Sequence, residues 1–348
     1  MKRLVVLLAA AVALAGCGGD DGGSAAENGG TTGAKQSGEL VVYSGREEEL
    51  VEPLFERFED ETGIHVDVRY ADSAELAATI AEEGDNSPAD VFFAQDPGSL
   101  GAVDDQLATL PQAVLDRVDE KFRDSGGRWV GTSGRARVIV FNTDDLTADE
   151  VPDSVFDLTD PKWKGKIGIA PTNASFQAFV TAMRLDAGEE RTRQWLEDVM
   201  ANDPKFYEKN TPVVEAVASG EIQVGLVNHY YLYLVEQEQP DAPIENKYLP
   251  GHDPGALVSV AGAGVLASAK HPDAAERFVE FLLADEQQRF YTEEAEEAEI
   301  PLVDGIPPKE GVPTLDELAS RGPAVDLSSF GGELERTLEL LNETGYTS

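Results

Sequence analysis

ELVVYSGREEELVEPLFERFEDETGIHVDVRY, residues 39–70, is the stretch on which the fold turns. ELVVYS alternates and is rich in β-formers, so it reads as a strand. GREEELVEPLFERFEDETG carries its apolar residues at helical spacing and stops at Gly63, where a left-handed turn suits glycine. HVDVRY alternates again. DSAELAATIAEEGD then opens with Asp72 or Ser73 as a capping residue and runs as a helix, and ADVFFAQDPGSL reads as strand, turn and helix. A β-α-β-α-β rhythm predicts a mostly parallel sheet with helices on its faces.

The rhythm returns after Trp129. RARVIVFN and KIGIA read as strands, NASFQAFVTAMRLDAG as a helix, and EIQVGLV as a strand feeding HYYLYLVEQEQ. ALVSVAGAGVLA followed by HPDAAERFVEFLLADEQQRFY adds one more strand and one helix. A second α/β unit is therefore expected, and some 310 residues beyond the N-terminal region suit two domains. In open parallel sheets ligands collect beyond the carboxyl ends of strands, where helix N-termini offer free N–H groups. Two such units facing each other make a cleft.

At the N-terminus, Lys2 and Arg3 precede an apolar run from Leu4 to Leu14, and Leu14–Cys17 reads LAGC. The pattern is that of a lipoprotein signal: residues 1–16 are removed and Cys17 is lipidated. The run is shorter than the roughly 20 residues a spanning helix needs. Residues 17–38, GGDDGGSAAENGG and its continuation, form a Gly-rich flexible tether. Cys17 is the sole cysteine, so the rest of the chain has no disulfide, thiolate metal site or cysteine nucleophile.

Against 27 Lys and Arg stand 66 Asp and Glu, a formal charge of −39. That balance argues against nucleic acid and anionic membrane surfaces as partners, and suits a cation loosely. Its spread along the chain reads first as a solvated, self-repelling surface.

The sharpest local feature is GLVNHYYL, residues 225–232, where an apolar strand ends and Tyr230 and Tyr231 follow. At a helix start, adjacent side chains sit about 100° apart, so two long phenol arms can converge on one point. Asn228 suits the N-cap of that turn. Phenolate is a hard anionic oxygen donor suited to a hard cation such as Fe(III), and its ordinary pKa near 10 means that a strong Lewis acid and a helix N-terminus must help it ionise.

From Leu40 to the C-terminus the chain resembles the bacterial ferric-iron-binding solute-binding proteins of ABC transporters. The matching segments are VVYSGREEELV, FEDETGI, EEGDNSPADVFFAQD, SGRARVIVFN, DLTDPKWKGKIGIAPTNASF, YEKN, GLVNHYYL and DPGALVSVAGAGVL, in the family's order. The resemblance implies a two-lobed periplasmic-binding-protein type II fold, each lobe a mostly parallel sheet flanked by helices with the ligand cleft between. It implies that Tyr230 and Tyr231 donate phenolates to Fe(III), the transported ligand. A synergistic anion, carbonate or phosphate, would be held by Asn173, Ala174, Ser175, Asn210 and Asn228. Asn173 heads a helix, Asn210 precedes TPVVEAVASGE and Asn228 precedes the tyrosines, so three helix starts could face one anion.

Two positions depart from the family pattern. Glu47 stands where a histidine ligand is usual, and Gln95 where a glutamate is usual; both are candidate metal ligands from the first lobe. Phe141 occupies the place of a third tyrosine found in other branches and cannot coordinate. Arg46 and Arg135 are candidates to pair with the anion. Tyr43, Tyr70 and Tyr233 read as packing or cleft-wall residues, and His65, His229, His252 and His271 lack zinc-type spacing.

The expectation is a monomeric, lipid-anchored binder. Lobe 1 comprises 39–135 plus 261–309 and lobe 2 comprises 136–260 plus 310–348, exchanging near Gly134–Arg137 and near Ala261. It would sit on the outer face of the cytoplasmic membrane or in the periplasm and deliver iron to an ABC permease driven by a cytoplasmic ATPase. The alternatives are another solute on the same fold, namely phosphonate, sulfate, thiamine, a polyamine or an iron chelate, and, more remotely, a secreted hydrolase. No G-x-S-x-G elbow supports the last.

Overall fold

The computed structural model describes residues 38–293 and 298–347. Cys17, the signal and nearly all of the tether fall outside these residues. In chain order the principal elements are β1 (Glu39–Ser44), α1 (Glu48–Thr62), β2 (His65–Tyr70), α2 (Ser73–Glu83), β3 (Val91–Ala94), α3 (Pro97–Ala102), α4 (Gln112–Leu115) and β4 (Trp129–Asn142). They continue with β5 (Ile167–Ile169), α5 (Ala174–Ala187), α6 (Glu189–Ala201), β6 (Lys205–Phe206), α7 (Asn210–Ala218), β7 (Val224–Asn228), α8 (Tyr231–Glu238) and β8 (Ile244–Lys247). The last are β9 (Val258–Val265), α9 (Pro272–Leu282), α10 (Asp285–Glu293), α11 (Leu315–Ala319) and α12 (Phe330–Glu343).

The strands join in the order β2-β1-β3-β9-β4-β7-β5-β6, with β8 also on β4. Both flanks are parallel, β1 with β2 and β3, and β5 with β6 and β7. The centre is antiparallel, because β4 and β9 run between the flanks. β4 pairs with β9 from Trp129 to Ala136 and with β7 from Arg137 to Phe141, so one strand of 14 residues serves both halves. All 14 of its residues are buried. A strand covered on both sides reads as the near-continuous apolar run VIVF that the sequence carries.

Of the predicted caps, Gly63 holds, and Asp72 takes the N-cap place of α2 without making a side-chain cap bond. Gly63 ends α1 at φ 73, and Gly188 ends α5 at φ 89. Two expectations are corrected. Asn228 closes β7 and does not cap the next helix, which begins at Tyr231 without a side-chain cap. HPDAAERFVEFLLADEQQRFY forms two helices, α9 and α10, broken at Leu283, with Asp285 and Glu286 supplying the acidic residues favoured at a new helix start.

A core around Phe55, Phe58, Phe93 and Phe278 lies under the first flank of the sheet. Two others, around Phe176, Phe179 and Trp195 and around Val213, Val217 and Val227, lie under the second. The C-terminal segment serves both sides: Leu318, Leu327 and Phe330 join the first core, and Leu340, Leu341 and Tyr346 join the second. Where α12 crosses α3, Gly331 meets Gly101 so closely that a Cβ on Gly331 would lie 2.2 Å from the Gly101 carbonyl carbon. Only glycine allows that contact.

Candidate functional site

The junction after β7 is pinned before the tyrosines begin. His229 is fully buried; its Nδ1 accepts the Ala136 N–H at 3.2 Å and its Nε2 donates to the Ala298 carbonyl at 2.9 Å. Burial pushes its pKa down to about 4, so the ring is neutral and serves as a structural bridge. The His229 N–H also donates to the Ala136 carbonyl, at 2.9 Å. Tyr230 and Tyr231 follow with their rings side by side, centroids 4.3 Å apart and tilted by 32°. Both are buried, at 3% and 6% exposure, where α8 meets α7 and β4.

Arg137 lies beside them. It stands opposite Asn228 in the β4–β7 register, and its guanidinium is fully buried over the rings of Phe176 and Phe179. Nη2 donates to the Leu226 carbonyl at 2.8 Å and Nη1 to Ser175 Oγ at 3.2 Å. Burial pushes its pKa down to about 9, and the Tyr231 and Tyr230 phenols oppose that shift, which places both within electrostatic reach. Among the described residues no carboxylate forms an ion pair with it.

Ser175 gathers the rest. Asn173, the N-cap of α5, accepts the Ser175 N–H at 3.0 Å and its hydroxyl at 2.7 Å. Ser175 Oγ in turn accepts from Arg137 and from Asn210 Nδ2, the latter at 3.2 Å. One donated and two accepted bonds satisfy the hydroxyl. Three buried atoms around it have no hydrogen-bond partner among the described residues: Arg137 Nε, Asn210 Oδ1 and Asn228 Nδ2. Buried polar atoms are nearly always paired, so two donors and an acceptor left over in one place suit a small anion or a hydrated ligand. Ala174 follows Asn173 as the first residue of α5.

Facing this wall is a cleft of ≈ 620 Å³ lined by Arg46, Glu47 and Gln95 from one side and Asn173, Ala174 and Lys209 from the other. Glu47 precedes α1 and points toward Lys209, whose Nζ lies 3.9 Å from Glu47 Oε1. Gln95 is fixed through its backbone, the N–H donating to Ser73 Oγ at 2.9 Å and the carbonyl accepting from Arg135. Tyr230, Tyr231, Ser175, Asn210 and Asn228 are buried and are not among the residues that line this cleft; both tyrosine rings belong to the apolar cluster around Val213 and Val227.

Arg46 and Arg135 are bound to a carboxylate that the sequence did not announce. Glu299, fully buried, takes Arg46 Nη2 at 3.2 Å, Arg135 Nε at 2.7 Å and Ser133 Oγ at 2.6 Å. Burial raises its pKa, but Arg46 and Arg135 outweigh that and hold it below the usual carboxylate range. Arg137 was the other omission. Its signal was present in RARVIVFN, where alternation puts Arg135 and Arg137 on one face of a strand otherwise built to be buried.

The remaining residues have plain structural places. Phe141 is buried in the second flank, opposite Val224. Tyr43 donates to Glu83, Tyr70 lines the cleft, and Tyr233 lies under the Lys309 ammonium. His65 pairs with Glu59, His271 with the buried Asp90, and His252 takes a left-handed turn at φ 59. Among the described residues no three histidine, cysteine, aspartate or glutamate side chains converge as a metal site, so a cation held here would need other donors.

The chain is similar to known proteins over most of its length. Residues 86–312 match the family model described as bacterial extracellular solute-binding protein. The chain is 34% identical to the Fe(3+)-binding periplasmic protein of Serratia marcescens over 311 residues, covering 88% of this chain and 90% of that one. It is 34% identical to the major ferric iron-binding protein of Neisseria meningitidis serogroup B over 278 residues, 78% and 83% of the two chains. The crystal structure of iron-bound HitA from Pseudomonas aeruginosa superposes with a TM-score of 0.83 at 32% identity, over 88% of this chain and 99% of that one.

Proposed function

Because the chain belongs to the bacterial extracellular solute-binding proteins, in their ferric-iron-binding branch and on the type II periplasmic-binding-protein fold, we propose that it captures Fe(III) through the phenolates of Tyr230 and Tyr231 and delivers it to an ABC importer. The family binds solutes and is not one of enzymes, which disposes of the hydrolase alternative. The observation that carries the reading is the tyrosine pair: two phenol rings 4.3 Å apart and tilted by 32°, beside a buried guanidinium with no carboxylate partner among the described residues.

The chemistry follows from the donors. Phenolates are hard ligands, and a trivalent ion compensates for the cost of ionising them. Beside them, Arg137, Asn228, Asn210 and the Asn173-Ala174-Ser175 helix start would hold a synergistic anion, carbonate or phosphate, completing the coordination shell. The atoms left without partners support this role. Glu47 and Gln95 on the facing wall are the groups that closure would bring toward the metal. Arg46 and Arg135, bound to Glu299, shape that wall, and an anion would have to compete with Glu299 for them.

Cleavage before Cys17 and lipidation would tether the domain to the outer face of the cytoplasmic membrane or within the periplasm. The chain would work as a monomer in two lobes closing over the cleft, docking on a permease fed by a cytoplasmic ATPase.

The test is colour. Purified protein given ferric ion with bicarbonate or phosphate should develop a phenolate-to-iron charge-transfer band. Tyr230→Phe should weaken and shift that band and lower iron affinity by at least ~100-fold, the loss of one hard anionic ligand being worth about 3 kcal/mol on the scale of charge-assisted contacts. A wild-type protein that stays colourless, or a variant that binds equally well, removes the assignment.

A further inference from the structure

Asn246 is a polar residue on an apolar face. It stands in β8 opposite Val140, which pairs on its other side with Gly225, so β8 and β7 flank β4. On that face Val138, Val140, Val227 and Ile244 cluster with Tyr230 and Tyr231. Ile244, two residues before Asn246 on the alternating strand, shares its side of the sheet. An amide in that company needs a reason, since a valine or isoleucine would pack there with no polar atom to satisfy. Its Nδ2 donates to the His229 carbonyl at 2.7 Å, and its Oδ1 is buried without a hydrogen-bond partner among the described residues. A carbonyl only accepts, so the atom that meets it is the amide nitrogen. One bond made and one acceptor left over is a poor arrangement for packing alone.

That bond bears on where α8 begins. The His229 N–H is taken by the Ala136 carbonyl, but the His229 carbonyl lies past the last residue of β7. Left free, it would be the natural acceptor for the Tyr233 N–H, four residues on, and the helix would start earlier. With Asn246 on it, the Tyr233 N–H donates instead to the Tyr230 carbonyl at 3.0 Å, which also takes the Leu234 N–H at 3.4 Å. The first turn is tightened and its acceptor is Tyr230. Successive helical side chains are turned by about 100°, so the residue at which the helix starts sets the direction of both phenols. We infer that Asn246 is a positioning residue for the tyrosine pair: its amide, reaching across β4, keeps the His229 carbonyl out of α8 and so fixes the two rings at their 4.3 Å separation. This rests on the reading of Tyr230 and Tyr231 as phenolate donors, and it assigns a residue that acts on the metal only through them.

The test compares Asn246→Leu and Asn246→Ala, which delete the donor at two side-chain sizes, with Asn246→Gln, which keeps it. Ile244→Ala, which removes only packing from the same face, is the control. Each full-length chain is followed by urea unfolding, by circular dichroism of its tyrosines without iron, and by the phenolate-to-iron band under chelator competition with ferric ion and bicarbonate. Asn246→Leu should unfold near the wild-type urea concentration, yet change the tyrosine dichroism, shift the iron band and lower iron affinity roughly 10-fold, the scale of one hydrogen bond. Asn246→Ala should lose stability and show the same spectral shifts. Asn246→Gln should recover most of the affinity and of the band position, and Ile244→Ala should lose stability with both spectra at their wild-type values. Unchanged dichroism, band and affinity in folded Asn246→Leu or Asn246→Ala overturn the inference. A loss in Asn246→Gln as large as in Asn246→Leu overturns it too, because shape and not the donor would then be responsible. A wild-type protein with no iron band removes the phenolate reading, and the iron-free dichroism then decides the positioning by itself.

Discussion

Arg137 donates to Ser175 Oγ at 3.2 Å from a position directly opposite Asn228 in the β4–β7 ladder. The contact ties the strand between the two flanks to the start of α5, and it holds a positive charge beside two phenols. Replacing a buried ionic group by an apolar one of similar volume is often neutral or stabilising. Arg137→Met should therefore leave unfolding free energy within about 1 kcal/mol of wild type while iron affinity in the presence of phosphate falls roughly 30-fold, or about 2 kcal/mol. Urea denaturation and chelator competition, run side by side, separate the two effects.

Glu299 is the counter-case, a buried anion serving Arg46, Arg135 and Ser133 together. Glu299→Gln leaves two guanidinium groups buried without their carboxylate. It should cost about 3–5 kcal/mol, visible as a lower urea midpoint with an unchanged slope.

His229 predicts a pH dependence of folding. The buried ring resists protonation down to about pH 4, whereas in the unfolded chain it protonates near 6.5. Between those values the unfolded state binds the extra proton, so this residue's contribution is intact above about 6.5 and is lost as pH falls toward 4, by about 3 kcal/mol in all. His229→Gln, which keeps one acceptor and one donor, should flatten stability against pH in that window when both proteins are unfolded in urea at a series of pH values.

At the crossing of α12 over α3, Gly331→Ala places a methyl 2.2 Å from one backbone carbon of Gly101 and 2.4 Å from another. Backbone cannot rotate away as a side chain would. The substitution should destabilise by about 2 kcal/mol, read as a lower melting temperature, and the iron band of the protein that remains folded should be unchanged.

Much of this was legible in the chain. Alternation and helical spacing located β1, α1, β2 and α5, and Gly63 and Gly188 stand where left-handed turns end helices. The candidate site was legible as a set of residue types at strand ends, because a strand running into a helix start is visible in sequence. Long-range pairing was not. Nothing local says that Glu299 will lie beside Arg46, 253 residues away, or that Arg137 will reach Ser175. Asn228 misled for a related reason: it is a good capping residue, but the β4 pairing holds it in the ladder and delays the helix to Tyr231.

β4 and β9 run through the middle of the sheet, Ser133 to Arg135 pairing with Ala261 to Ser259, and their register slips once, between Gly131 and Ser133. The proposed closure over the cleft would have to bend this paired ribbon, and the slip beside Ser133, where a bulge loosens the ladder and bends the strand, is where it would give.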